Sequence, residues 1–397
     1  MKTLHIVTLK KFYLLGETIY TYGGFPAYLD MLSGYFDEIY IIAPITRRQF
    51  DNPKRIDNVK FKILPLPCYW NELQLLLLTP FIFLLIGFYL VNSQMVNPRI
   101  PDMTGLIGIF FSKLYRKPHF ISVQSDLHEL LGNSNFTNLR GIPRLILYFW
   151  LRFNLLLEHL LCRGSVCLPQ GQKLYDRFQK YSNSFLWTST AIRKDFITSS
   201  SPFLNYNCSN IKFLNIGRFC VQKNQRLCID SIYKMAQLSN SLDIYLLISG
   251  KRDMKIFPSL EVLSKDINSS MDSLRIDISP PVASTPYGLI STYDSFNFFF
   301  LTSLWEGTPK VVVEAMARGL IVIAPRLGGL HHTIINNYNG FLYSNYDPLS
   351  ISSLLLDIVS IPPEQLLDIS QNAIETSSRY TVEAQQLILN QAIDSCQ

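Results

Sequence analysis

Apolar positions along this chain fall into short compact runs that alternate with stretches of helical spacing. Leu4 to Leu9 is a strand-like run, Pro26 to Phe36 is helical, and Glu38 to Ala43 and Val59 to Leu64 are strand-like again. Gly105 to Tyr115 then reads as a helix, His119 to Val123 as a strand, and Ile142 to Cys162 as a long helix. Val166 to Pro169 and Ser184 to Thr188 read as two further strands. A second series follows, with strands at Ile211 to Ile216, Leu242 to Ser249, Leu274 to Ser279, Phe296 to Leu301, Leu320 to Ala324 and Gly340 to Tyr343. Strands that alternate with helices predict parallel sheets covered on both faces. The fold class expected is α/β, with two Rossmann-like domains facing a central cleft. Their limits are 1–198 and 211–379, the Ser-, Pro- and Asn-rich segment 199–210 is the linker, and a last helix in 380–397 packs back on the first domain.

One segment breaks the alternation. Leu73 to Val91 is almost wholly apolar, and no charged residue occurs from Leu73 to Pro98. Its length meets the requirement for a membrane span. Against that, Pro80 interrupts the run, and Asn92, Ser93, Gln94 and Asn97 crowd its end. A span would also divide one sheet across a bilayer. The other reading is a buried or membrane-resting helix over 72–85, followed by a buried strand over 87–95. The helix Ile142 to Cys162 mixes Arg144 and Arg152, with Arg140 and Arg163 at its ends, among Leu, Phe, Tyr and Trp. That mixture suits an interfacial helix beside anionic lipid as well as an ordinary amphipathic one.

Composition narrows the classes. A chain of 397 residues with 48% hydrophobic residues can build two cores and is too apolar to be disordered. The formal charge of +6 is a mild excess, compatible with anionic substrates or an anionic membrane surface, and too thin for a nucleic-acid stripe. The seven cysteines form no C-x-x-C pair and no Cys/His cluster, so neither a zinc site nor a disulfide framework is expected. The first residues, M-K-T-L-H-I-V-T-L, are too short an apolar run for a secretion signal and read as a buried strand, which suits a cytoplasmic protein.

Two motifs carry chemistry. In Ser303-Leu-Trp-Glu-Gly-Thr-Pro-Lys-Val-Val-Val-Glu314 an apolar strand runs into a loop, and a helix opens near Pro309 and stops at Gly319. The turn Gly307, Thr308, Pro309 and Lys310 would then place free backbone N–H groups, all but the one proline lacks, at a helix N-terminus, an anion site. Glu306 and Glu314 flank it, and two carboxylates beside a phosphate need hydroxyls to accept, as a sugar nucleotide provides. Structural caps and supports are the bland alternative. The second motif, Gly217-Arg218-Phe-Cys-Val-Gln-Lys223, places two cations five residues apart behind a strand, where they can clamp a diphosphate. Solvated surface cations are the alternative there. Gly23-Gly24 lies in the loop after the first strand, on the rim where ligands sit.

With these residues in place the chain resembles the retaining, GT-B-fold glycosyltransferases called family 4, closely over Ile211 to Tyr343 and diffusely before it. The family's E-x(7)-E pair matches Glu306 and Glu314, its G-R…K motif Gly217, Arg218 and Lys223, and its glycine pair Gly23 and Gly24. A later element matches Gly328, Gly329, Asn339, Gly340, Phe341 and Leu342. The resemblance implies transfer of a sugar from a nucleotide diphosphate sugar to an acceptor hydroxyl with retention. It gives Glu314 the ribose, Arg218 and Lys223 the diphosphate, and Glu306 with its neighbouring backbone the donor sugar. A glycan or lipid-linked acceptor is expected, on a protein peripheral to the inner face of a membrane. Departures are His331-His332 in place of Pro-Glu, Ser249-Gly250-Lys251-Arg252 in place of a glycine-rich turn, Pro280-Pro281 before the base-binding loop, and Trp187-Thr188-Ser189-Thr190 before the linker. Asp126, at the end of a first-domain strand, is a candidate acceptor-side or catalytic residue and equally a helix cap; His128 and His119 are weaker candidates. No D-x-D occurs, so no cofactor and no metal on the diphosphate is expected. An epimerase or hydrolase of sugar nucleotides, or a nucleotide-binding scaffold at a membrane, stays open as an alternative.

Overall fold

A computed structural model describes residues 2–16, 18–48, 53–56, 60–69, 72–126, 142–188, 192–239, 241–251, 256–281, 286–306 and 310–396. The chain divides into two compact units, Met1–Ser189 with Gln385–Gln397, and Thr190–Ala384. Residues 199–210, read from sequence as the linker, lie inside the second unit. Ser201 Oγ meets Ser370 Oγ at 2.6 Å, Phe203 is buried, and the rings of Phe203 and Tyr206 pack on Phe298. Polar composition marked a loop there, but its two aromatic rings anchor it to a core.

The first unit is built on β1 (Thr3–Val7), β2 (Phe12–Leu15), β3 (Thr18–Thr21), β4 (Glu38–Thr46), β5 (Lys54–Ile56), β6 (Phe61–Leu66), β7 (Met95–Ile100), β8 (Phe120–Val123), β9 (Val166–Pro169) and β10 (Asn183–Ser184). Its helices are α1 (Phe25–Ser33), α2 (Glu72–Leu90), α3 (Met103–Leu114), α4 (Ile142–Cys162) and α5 (Gln172–Phe178). The sheet order is β10-β9-β8-β7-β1-β4-β2-β3-β5, with β6 also on β4. Pairing along β10-β9-β8-β7-β1-β4-β6 is parallel. Leu4, Ile6, Val7, Ile39, Ile41 and Ile42 are fully buried, as strands covered on both faces require.

The sequence reading of the apolar segment was half right. It is a helix, but α2 runs on to Leu90, and the strand begins at Met95. Residues 87–90 are helix, not strand, because Gly87 lets α2 press against the Phe111 ring of α3, where an added Cβ would lie 2.6 Å away. Leu75, Ile82, Ile86 and Leu90 recur at helical spacing and join Val7, Ile42, Val96 and Ile107 in one core. One stripe of α2 is therefore committed to the sheet. Among the described residues no helix is long and apolar enough to cross a membrane. The hairpin β2–β3 was also missed: Tyr13 to Leu15 pair antiparallel with Thr18 to Tyr20 in what reads as a loop.

The second unit holds β11 (Asn210–Ile216), β12 (Asp243–Ser249), β13 (Leu274–Ser279), β14 (Phe298–Phe300), β15 (Ile321–Pro325) and β16 (Gly340–Tyr343). Its helices are α6 (Gln225–Leu238), α7 (Phe257–Ser270), α8 (Pro286–Asp294), α9 (Lys310–Ala317), α10 (Leu330–Thr333), α11 (Pro348–Val359) and α12 (Pro363–Ser378), and α13 (Val382–Asp394) closes the chain. All six strands are parallel in the order β13-β12-β11-β14-β15-β16. In order of appearance that is 3-2-1-4-5-6, the doubly wound arrangement, with its reversal between β11 and β14. From Gln385 on, α13 belongs to the first unit, where Gln385 Oε1 accepts from the Thr188 amide at 2.7 Å.

Gly105 tests the packing of the first unit. An added Cβ there would lie 2.0 Å from the Arg99 carbonyl oxygen, a backbone atom that cannot swing aside. Gly105→Ala should destabilise the protein by about 1–3 kcal/mol, the usual scale of overpacking, read as a lower midpoint in urea. An unchanged midpoint would mean that β7 and α3 do not approach as described.

Candidate functional site

Where a doubly wound sheet reverses its order, the loops after the two central strands diverge and leave a crevice. Backbone pairing of β11 with β14 is seen at Phe213–Phe298 and Leu214–Phe299. Beyond it, buried Asn215 spans the gap and donates from Nδ2 to the Phe300 carbonyl at 2.7 Å. The loop after β11 begins at Gly217 and the loop after β14 carries Ser303 and Glu306. Both sequence motifs therefore arrive at the reversal.

Each loop is held by short-range features. Gly250 must be glycine, because a Cβ would lie 1.7 Å from the Gly217 carbonyl oxygen, and the Gly217 amide donates to Ser249 at 3.0 Å. Asn224, left-handed at φ 46°, turns the chain from Lys223 into α6. The Leu304 amide donates to Gln222 at 2.8 Å, Gln222 Nε2 donates to Trp305 at 2.9 Å, and Thr302 Oγ1 donates to the Lys223 carbonyl at 3.1 Å. Tyr346 donates to Ser303 O at 3.1 Å from beneath.

The centre is an ion pair. Lys223 Nζ donates to Glu306 Oε1, which also accepts from Ser303 Oγ at 2.7 Å. The side chains are only 14% and 9% exposed, so the pair is largely removed from water. Glu306 Oε2 has no partner among the described residues and remains an acceptor for a hydroxyl. Arg218 is exposed, and its guanidinium has no partner among the described residues. The two expected clamp cations thus differ: one is anchored to a carboxylate and one is loose. Glu314 is on α9 with its carboxyl pushed up by burial, and Tyr293 donates to its Oε2 at 2.9 Å. Lys310 opens α9, while Gly307, Thr308 and Pro309 lie outside the described residues.

The first-unit candidates fare differently. Asp126 is 9% exposed and takes Arg177 Nη1 at 2.9 Å on one oxygen, with Lys173 3.8 Å from the other. Arg177 also holds Glu158 at 2.6 Å, so Asp126 is part of a buried charge cluster. His119 uses both ring nitrogens, on Lys117 O at 2.9 Å and Ser165 Oγ at 3.2 Å, and burial pushes its pKa down. His128 lies outside the described residues. His331 and His332 are exposed with ring centroids 3.8 Å apart. Gly23, at φ 70°, makes the turn into α1, with Gly24 as its cap. Of the residues that hold the two glutamates, Tyr293 escaped the sequence reading, a single polar residue in a helix with no motif around it, and Ser303 stood at the head of the quoted motif without a role.

Residues 201–376 match the sequence model of the family described as Glycosyl transferases group 1. The chain carries a group 1 glycosyltransferase domain. Glu306, Glu314, Arg218 and Lys223 all fall within it. This glycosyltransferase is 23% identical to an uncharacterised glycosyltransferase of Methanocaldococcus jannaschii over 86% of this chain and 92% of that one. Among solved structures it resembles the Anabaena protein HepE in complex with UDP, at TM-score 0.65 and 15% identity over the whole of both chains. It also resembles sucrose-phosphate synthase from Thermosynechococcus elongatus, at TM-score 0.66 and 16% identity over 100% of this chain and 99% of that one. The fold is GT-B.

The ion pair makes a quantitative statement. Removing Lys223 alone leaves a shielded carboxylate without a cation, which costs more than removing both partners. In a double-mutant cycle of Lys223→Ala and Glu306→Ala, denaturation in urea should show a coupling of roughly 1–3 kcal/mol. A coupling near zero would mean that the two loops do not hold each other.

Proposed function

We propose that this protein transfers a sugar from a nucleotide diphosphate sugar to an acceptor hydroxyl with retention of configuration. The observation that carries the reading is the Lys223–Glu306–Ser303 cluster at the sheet reversal, with exposed Arg218 beside it in sequence. A departing diphosphate gains negative charge in the transition state, and fixed cations stabilise that charge without reorganising. Lys223 is held in place by Glu306 and has N–H donors left over; Arg218 is free to fork onto phosphate oxygens. Glu306 Oε2 can accept a sugar hydroxyl, and Glu314 a ribose hydroxyl through the oxygen Tyr293 leaves open. The UDP complex of the structurally similar Anabaena protein supports a nucleotide donor. No metal is needed in this scheme, since the cations stand where a D-x-D-bound ion would act. Front-face attack, with the leaving phosphate helping to take the acceptor proton, is the mechanism that the family resemblance implies.

We further propose an acceptor presented at an anionic membrane surface, in lipid-linked or polysaccharide synthesis. The outer stripe of α2 exposes Leu77, Phe81, Leu84 and Phe88, between 54% and 75% accessible. Phe83 of α2 meets Phe110 of α3 at 5.7 Å, and the apolar surface continues through Phe110 and Leu114. Helix α4 adds Phe149, Phe153, Leu156 and Leu160, all half exposed or more. Its one acidic residue, Glu158, is buried, and α3 has none, whereas Lys113, Arg116, Arg152 and Arg163 are exposed. An apolar face flanked by exposed cations, with no exposed carboxylate among the described residues of α3 and α4, is complementary to anionic lipid.

Incubation of the full chain with labelled nucleotide sugars, with and without a lipid extract, is the decisive assay. Transfer to an acceptor supports the proposal; free sugar or an epimer without acceptor indicates a hydrolase or epimerase; binding without turnover indicates a scaffold. Arg218→Ala should lower kcat/KM by about 30- to 100-fold, the scale of one charge-assisted contact. Glu314→Ala should mainly raise KM and Glu306→Gln mainly lower kcat. Small, equal effects on both parameters would assign the glutamates to structure. Activity should persist in EDTA. For the membrane face, the protein should sediment with vesicles containing anionic phospholipid, and a Phe81→Asp/Leu84→Asp/Phe88→Asp variant should stay in the supernatant. Sedimentation unchanged by the three aspartates would place the contact elsewhere.

A further inference from the structure

The first unit holds a separate concentration of unmet hydrogen-bonding capacity at the carboxyl edge of its sheet. Arg99, near the end of β7, lies with its guanidinium against the rings of Phe25 at 4.6 Å and Tyr28 at 4.8 Å. Its Nη2 donates to Gln124 Oε1 at 2.7 Å, just beyond the end of β8. Three atoms here are shut from solvent without a hydrogen-bond partner among the described residues: Arg99 Nη1, Gln124 Nε2 and the indole Nε1 of Trp187. Trp187 is 4% exposed, and its ring meets Tyr28 at 5.4 Å. All three orphans therefore gather around one tyrosine. The Tyr28 hydroxyl, engaged with Asn97 Oδ1 at 2.8 Å and Ser122 Oγ at 2.9 Å, lies close enough to interact with Arg99 but meets neither Gln124 Nε2 nor Trp187 Nε1.

Every one of these orphans is an N–H donor. Lys10, in the loop after β1, adds a cation: its Nζ lies 3.9 Å from the centre of the Tyr22 ring and donates to no acceptor among the described residues. Burial and the charge on Arg99 push this ammonium down to about 8. Asp102, the carboxylate that faces Arg99, is already committed, accepting from Gly105 N at 2.8 Å, Thr104 Oγ1 at 2.6 Å and Leu9 N at 3.2 Å. Two cations that repel each other, one facing carboxylate already taken up by three other donors, and two neutral donors left unmatched form a site short of an acceptor. Buried donors are rarely left unmatched in native proteins.

We propose that Lys10, Arg99, Gln124 and Trp187 form a subsite for a negatively charged group, phosphate or carboxylate, carried by the acceptor. The assignment to the acceptor rests on the glycosyltransferase reading, because the cations proposed for the donor diphosphate are in the second unit. An acceptor anchored by its anionic group would have its hydroxyl positioned by a strong contact remote from the reacting atoms, which is how binding energy is turned into orientation.

Calorimetric titration of the full chain with inorganic phosphate, and separately with acetate, tests this, first alone and then in the presence of saturating UDP, GDP or ADP, whichever binds. One of the two anions should bind, and should still bind with the nucleotide present. Lys10→Gln, Arg99→Gln and Trp187→Phe should each weaken it by about tenfold or more, the scale of one charge-assisted or buried contact. Trp187→Phe deletes the unpartnered N–H together with part of a buried ring, so a somewhat lower melting temperature is expected, and its anion binding is compared with the parent's at a temperature where both are folded. Lys10 is on the surface side of the cluster and keeps the test open should Arg99→Gln fold poorly. The proposal is overturned if neither anion binds, if the variants bind as the parent does, or if the nucleotide displaces the anion completely, since the subsite would then belong to the donor. Failure of all three nucleotides to bind would count against the preceding reading of the donor site, while the anion titration would still decide this one.

Discussion

In a parallel sheet every strand delivers its following loop to the same rim, and where the strand order reverses two such loops part. That constraint governs the second unit. The reversal between β11 and β14 puts Lys223 on one side of the gap and Glu306 on the other, and the buried pair they form joins the two loops. A shielded ion pair is a weak source of stability, because desolvation offsets much of its attraction. Its retention at a sheet reversal is better explained by what it positions. It fixes an ammonium and a half-used carboxylate a few ångströms apart, in a place the fold leaves open.

The supporting residues follow from the same constraint. Gly250 allows the loop after β12 to touch the Gly217 carbonyl, and Asn224 turns the chain sharply so that Lys223 faces β14 and not solvent. Asn215 fills the wedge between the diverging strands. None of these touches a ligand in the proposed mechanism, yet each sets where Lys223 and Glu306 stand. Tyr293 does the same for Glu314: a fully buried hydroxyl on α8 holds one oxygen of a carboxylate whose burial favours its neutral form.

Much of this was legible in the sequence where the signal was local. The strand–glycine–cation loop at 213–223 and the strand–loop–helix at 296–319 are each contained in about twenty residues. Their strands, turns and helices come from propensity and period alone. What was not legible depended on partners far along the chain. The Lys223–Glu306 pair spans 83 residues, so the two motifs read as independent contributors to a clamp when they are in fact bonded to each other. Asp126 looked like a free carboxylate at a strand end, and its cation, Arg177, is 51 residues away. The end of α2 was misread because Gly87 and Phe111 decide it together, and an apolar run with no period cannot distinguish a strand from a helix.

Helix α2 also shows why uniform hydrophobicity is ambiguous. A helix that is apolar all round is expected to be buried all round. Here the stripe through Leu75, Ile82, Ile86 and Leu90 enters the core while the stripe through Leu77, Leu84 and Phe88 faces outward. Core packing therefore accounts for half of the composition and leaves the other half to be explained by something that covers it. The cations at the ends of α3 and along α4, with no exposed carboxylate on either helix among the described residues, are what supports the proposed anionic surface over a second apolar protein face. The same unit brings Lys10 and Arg99 together at the carboxyl edge of its sheet, where the one facing carboxylate, Asp102, is taken up by other donors. Part of the excess positive charge of the sequence is thus concentrated at two places in the first unit. The proposed negatively charged acceptor at a lipid surface would use both, one through the membrane and one through the acceptor itself.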